Sequence, residues 1–111
     1  MKKSMLVFSL LLALVCFSCI VQNPKRENCE VVTIFVDSIY EGGVKDVVFA
    51  EPNGDFYYIN RGLEQGLILE ELRSRLLNKK VTLHLAKVLG GITSEHISEL
   101  ALNNEVIYTE L

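Results

Sequence analysis

"DVVFAEPNGDFYYIN", residues 46–60, decides the fold. Two runs rich in β-branched and aromatic residues, "VVFA" and "FYYI", flank "EPNGD", whose Asn53-Gly54 pair is among the strongest short-range hairpin signals. The stretch therefore predicts one strand going up, a tight turn, and one strand coming back. Working outward toward the N-terminus, "EVVTIFVDSIY" (residues 30–40) places Val32, Ile34, Val36 and Tyr40 on one face and Thr33, Phe35, Asp37 and Ile39 on the other. Such a run is a long strand, well buried at its start, and Gly42-Gly43 ends it with a turn. Toward the C-terminus the period changes. In "LEQGLILEELRSRLLNKK" the apolar residues Ile68, Leu69, Leu72 and Leu76 recur at three and four. Glu70 and Glu71 come early and Arg73, Arg75, Lys79 and Lys80 late, an order that suits the helix dipole. One helix of about three turns is expected.

"KVTLHLAKV" then alternates Val81, Leu83 and Leu85 with Thr82 and His84, a strand expected to keep one wet face. "LGGITSE" is a loop. The last stretch, "HISELALNNEVIYTEL", has two readings. Asn103-Asn104 suits a type I′ turn between two strands, because asparagine tolerates positive φ; a helix over "TSEHISELAL", capped by Thr93 or Ser94, is the alternative. The expected order is β-β-β-α-β-β, a mainly β domain with one helix.

The chain of 111 residues allows one small domain. Half of it is hydrophobic, but much of that share lies in "MLVFSLLLALVCFS", uncharged from Met5 to Ser18 and preceded by Lys2 and Lys3. A basic start, an apolar run and a small residue before a break are the parts of a secretory signal peptide. The run is shorter than the ~20 residues of a bilayer-spanning helix, so a cleaved leader is a better reading than a permanent anchor. Loss of residues 1–18 takes the net charge from −3 to −5. With no basic cluster beyond pairs such as Lys25-Arg26 and Lys79-Lys80, nucleic-acid binding is excluded as an expectation. "IVQNPKREN", residues 20–28, is polar and reads as a tether. Cys29, the cysteine left over, suits a small, partly buried residue at the start of the first strand; pairing with another molecule is the alternative. Without a disulfide framework, a domain of this size draws only ~3–5 kcal/mol from its core.

Two resemblances follow from these stretches. "VCFSC" (residues 15–19) resembles the lipobox of bacterial lipoprotein precursors, in which a small residue precedes a cysteine at the end of the apolar run. Cys16 stands where leucine is usual, and the bulky Phe17 precedes the serine. The resemblance implies cleavage between Ser18 and Cys19 and a diacylglyceryl group on the Cys19 sulfur, an attachment with the two chains that stable anchoring needs. An ordinary signal peptide cut near Ser18 without lipid is the alternative. Ile20, where an aspartate tends to retain such proteins at the inner membrane, implies an outer-membrane location facing the periplasm. The expected organisation is signal peptide 1–18, lipidated N-terminus and tether 19–29, and domain 30–111. The second resemblance is one of pattern. A long first strand, a central hairpin and a helix before the fourth strand resemble a small OB-fold-like barrel; another α+β sheet with one packing helix is the alternative.

Chemistry is sparse. His84 and His96 are the only histidines, and no H-x-x-x-H, C-x-x-C or H-E-x-x-H spacing marks a metal site. No G-x-S-x-G elbow occurs, and the glycine pairs at 42–43 and 90–91 are not phosphate cradles. Glu70, Glu71, Glu95 and Glu99 read as helix-start or surface charges. No metal, cofactor or catalytic residue is expected; an enzyme would need His84 or His96 to meet a carboxylate in a pocket. Alternation puts Phe56 and Tyr58 on one strand face and Tyr57 and Ile59 on the other, so at least one aromatic is expected to face solvent. A binding face around Tyr57, Tyr58, Arg61 and His84 is the leading expectation, since tyrosine brings contact area at low entropy cost. Packing of both tyrosines at the barrel edge with wet hydroxyls is the plainer alternative. The function expected is that of a lipid-anchored, non-catalytic envelope lipoprotein, a binding or adaptor domain for a protein or an envelope glycan. A small inhibitor or immunity-type lipoprotein, blocking one enzyme or toxin through "EPNGD" or "LGGITSE", is the alternative.

Overall fold

The computed structural model describes residues 25–111. The expected leader with Cys16, the cleavage site at Ser18 and the lipid site at Cys19 lie outside the described residues. The described chain is mainly β, with seven strands in one sheet and a single α-helix. The strands are β1 (Glu30–Phe35), β2 (Ser38–Glu41), β3 (Val47–Ala50), β4 (Phe56–Ile59), β5 (Lys80–Lys87), β6 (Thr93–Leu102) and β7 (Glu105–Thr109), and the helix α1 is Leu69–Leu76.

The stretch expected to be one long strand is two, β1 and β2, broken at Val36 and Asp37. The break is a change of partner. β1 runs antiparallel to β5 from Glu30–Leu85 to Phe35–Lys80, and Val36 still bonds to the chain just before β5, accepting from the Asn78 amide at 2.8 Å. One residue later the Asp37 amide donates to the Ala50 carbonyl at 2.8 Å, and β2 pairs with β3. The pairing path runs β1-β5-β6-β4-β3-β2, with β7 added to β6. All pairs are antiparallel except β4 with β6, which meet in parallel at Tyr58 and His96. No ladder joins β1 to β2, so the sheet is not closed.

Turn chemistry explains the hairpins. Between β3 and β4 the Glu51 amide donates to Asp55 and the Gly54 amide to Glu51, with Gly54 at φ +95°. This is a short loop closed by one left-handed glycine, of the type I-plus-bulge kind, rather than a two-residue loop. Asn103 and Asn104 do form a two-residue loop, both left-handed at φ 50° and 70°, between the paired Leu102 and Glu105. Residues 93–102 are therefore strand, not helix.

The helix is shorter than its apolar period suggests. Gly62–Gln65 forms a 3-10 turn, α1 covers eight residues, and Asn78 turns left-handed at φ 62°. Leu72 and Leu76 enter the core while Ile68 stays half exposed. Arg73 Nε donates to the Ile39 carbonyl at 2.8 Å, fastening the helix to β2. One core collects Ile34, Val36, Ile39, Val47, Phe49, Ile59, Leu72, Leu76, Val81, Leu83, Leu85, Ile97 and Leu100. Side chains from β1 through β6 and from the helix thus meet in a single apolar volume, and the outer surface of the sheet is left for polar chemistry.

Candidate functional site

That polar chemistry gathers around an irregularity in β6. Leu85 pairs with Ile97, but the next partner of β5, His84, pairs with Glu99. Ser98 is the extra residue of a β-bulge, in which two residues oppose one on the neighbouring strand. The bulge turns Ile97 and Leu100 both into the core, three residues apart and each 0 % exposed. Ser98 and Glu99 consequently share the opposite face, and both are buried. A buried carboxylate needs partners, because an uncompensated charge out of water is costly.

The partners come from both flanks of the domain. Arg26 lies in a 3-10 turn, Arg26–Asn28, within the stretch read as tether. Its Nη1 and Nη2 donate to the two carboxylate oxygens of Glu99, each at 2.6 Å. This forked pairing is the geometry in which a guanidinium holds a carboxylate best. It holds Glu99 below the usual carboxylate range, against a desolvation effect of opposite sign, with Thr109 and His84 assisting. The same bond raises Arg26 above its ordinary value. His84 Nδ1 is 3.5 Å from Glu99 Oε2, and it is buried without a hydrogen-bond partner because the approach lacks bonding geometry. His84 is therefore not on a wet face, and Glu99 is not a surface charge; the segment around Arg26 covers them.

A second group lies next along β6. His96 Nε2 and Glu110 Oε1 are 2.6 Å apart, and Ser98 Oγ donates to the same Oε1 at 2.8 Å. The Tyr58 ring stands edge-on to His96, centroids 5.9 Å apart at 88°. Both histidines thus meet a carboxylate. The order of bonding decides what the second group can do. Nucleophilic relays place the imidazole between hydroxyl and carboxylate, so that it can take the hydroxyl proton. Here Glu110 stands between Ser98 and His96, so the serine proton points at the carboxylate. Cys29, half-buried just before β1, donates its thiol to the Lys25 carbonyl at 3.3 Å. Burial, first, raises its pKa, which keeps it a thiol. Among the described residues no group of three or more His, Cys, Asp or Glu is placed to hold a metal ion.

The four residues of the expected binding face are dispersed. Tyr57 pairs with Phe49 and packs against the core from its edge. Tyr58 is on the opposite face, over His96. Arg61 is at the far end of β4, left-handed at φ 51°, with its amide on Asp46 Oδ1 at 2.8 Å and its guanidinium toward Glu64 at 3.4 Å. His84 is two strands away, under Arg26. Tyr57 lines a groove of about 270 Å³ with Gly54, Asp55, Phe56 and Glu95. Burial, then Glu51, Asp55, Glu95 and Glu30, raise its phenol pKa. The residues that sequence reading missed, Arg26, Ser98, Glu99 and Glu110, have no local signature: Arg26 and Glu99 are 73 positions apart. Only the strand register and the bulge bring them together. In comparisons with protein-family models, with curated proteins and with solved structures, the chain matches nothing.

Proposed function

We propose that the mature chain is a lipid-anchored, non-catalytic lipoprotein of a bacterial envelope, held through Cys19 at the outer membrane and acting as a binding or adaptor domain. The observation that carries this is the leader itself: Lys2-Lys3, an uncharged run from Met5, and Ser18 before Cys19. Support for a binding role comes from how the reactive side chains are used. Arg26 is committed to Glu99, Ser98 and His96 to Glu110, and the Cys29 thiol to a carbonyl. Neither the Ser98 hydroxyl nor the Cys29 thiol donates to an imidazole, the order that a nucleophilic relay needs.

The fold proposed for this domain is OB-fold-like. In support, the path of pairings starts and ends on β1 and β2, which are consecutive pieces of one chain. The parallel β4–β6 contact and the single core fit the same architecture. The contact surface proposed for a protein or envelope glycan is the groove at the tip of the central hairpin, lined by half-exposed Phe56 with Tyr57, Asp55 and Glu95. Aromatic rings beside hydrogen-bonding carboxylates suit either partner.

Two measurements test the reading. Radiolabelled fatty acid enters the wild type and not Cys19→Ser; equal labelling of both removes the anchor. Crosslinking of the membrane-held protein in its own cells recovers a partner, and Tyr57→Ala weakens that crosslink while Glu105→Ala does not.

A further inference from the structure

The chain leaves the domain at one particular place. Lys25, Glu27, Asn28 and Cys29, the end of β5 at Ala86 and Lys87, and the β5–β6 loop from Val88 to Gly91 line a common groove of about 300 Å³. Within that loop the Val88 amide donates to the Ile92 carbonyl at 2.9 Å, and Gly90 and Gly91 are left-handed at φ 95° and 80°. A tip closed this tightly holds its side chains outward. Leu89 is 46 % exposed and Ile92 68 %, and neither belongs to the core. Lys25, Lys87 and Glu27 line the groove beside Leu89. Two outward apolar side chains at a loop tip, with lysine stems able to reach past them, are the composition of a surface that dips into lipid headgroups.

The length of chain beyond Lys25 chooses the occupant. Cys19 is six peptide units from Lys25, a reach of at most roughly 20 Å when fully extended. A domain of this size is on the order of 30 Å across. A lipid on Cys19 therefore cannot leave the pole beside Lys25 facing away from the bilayer. The Arg26–Glu99 fork holds the segment against the sheet, which keeps that reach short. We infer that the β5–β6 loop is a membrane-contact element, with Leu89 and Ile92 seated in the interface of the bilayer that holds the lipid. The acidic Glu51, Asp55 and Glu95 lie near Tyr57 on the β3–β4 side of the same end, and Glu30 is held by Thr93 at the base of the loop. Their charge tilts that side away from the headgroups and leaves the hairpin open to a partner. Val44, 64 % exposed on the β2–β3 turn, marks the opposite pole.

This inference rests on the lipoprotein reading, and the experiment separates the two. The chain has no tryptophan, so Leu89→Trp, Ile92→Trp and Val44→Trp each create a single probe. Full-length protein, processed in cells and purified in detergent, is first weighed for the diacylglyceryl group. It is then reconstituted into vesicles of phosphatidylethanolamine and phosphatidylglycerol with or without bromine on the acyl chains. The expected result is a blue-shifted emission, quenched several-fold by bromolipid, at positions 89 and 92, and an unshifted, unquenched emission at 44. Lipid present with all three probes unquenched, or with Val44→Trp quenched equally, overturns the loop contact and leaves the anchor standing. Absence of lipid on the mature protein overturns both.

Discussion

Glu99 is the residue on which the outer face of the sheet is organised. It is 2 % exposed, faces away from the apolar core, and is ionised because Arg26 donates to both of its oxygens while Thr109 and His84 stand near. Its pKa lies below the ordinary carboxylate value of 4.5. A depressed acid contributes stability that is fully present above the unfolded pKa and disappears as pH falls through the folded one. Glu99→Gln should therefore lower the urea midpoint at pH 7, and the gap to wild type should close as pH drops below about 4.5. Urea titrations from pH 7 to pH 3 check this; a gap that stays constant would place the stabilisation in packing rather than charge. Because the Arg26 side chain is 57 % exposed, salt should weaken the pair at neutral pH as well. None of this was legible from residue spacing. His84 read as a wet-face residue because β5 does alternate, with Val81, Leu83 and Leu85 in the core; the Arg26 turn, distant in sequence, is what covers it and Glu99.

At the scale of elements, local rules worked where the local backbone decides the conformation. Asn103 and Asn104 are both left-handed, as a type I′ loop requires. Asn104→Gly should raise the urea midpoint slightly, since glycine meets no steric penalty at positive φ. Asn104→Val should cost about 1–2 kcal/mol, the penalty for a branched side chain in that region. Chemical denaturation of the two variants measures the difference directly, and equal midpoints would mean that the loop is not held in this conformation. The rules ran short where tertiary contacts intervene. The apolar period around residues 63–80 extends past the helix at both ends, because Gly62–Gln65 tightens into a 3-10 turn and Asn78 hands the chain to β5. Ile97 and Leu100 show a spacing of three, which a helix also produces, yet here a bulge in a strand sets it. The three-residue spacing had no unique local meaning.

For the molecule as a whole, a single apolar core implies a single cooperative unit. Side chains from β1 through β6 and from α1 meet in one cluster, so no strand has a separate core on which to remain folded. Urea unfolding followed by far-ultraviolet circular dichroism and by tyrosine fluorescence should give coincident transitions; two separated midpoints would divide the domain. Sequence alone determined the central hairpin, the single helix and the mainly β class, because β-branched content, turn residues and dipole-ordered charges act over a few neighbouring positions; for residues 93–102 it left strand and helix both open. It also carries the whole case for the leader and Cys19, which rests on no tertiary contact. Tertiary structure decided the rest. It broke the first strand at Val36 and Asp37, where the backbone changes partner from β5 to β3. It took Arg26 out of the tether and set it on Glu99, and it left Arg61 at the far end of β4 and His84 two strands away from Tyr57 and Tyr58. The physical reason is the same in each case. Burial and pairing between residues tens of positions apart depend on strand register, and one inserted residue in β6 is enough to reset which side chains face the core and which face each other.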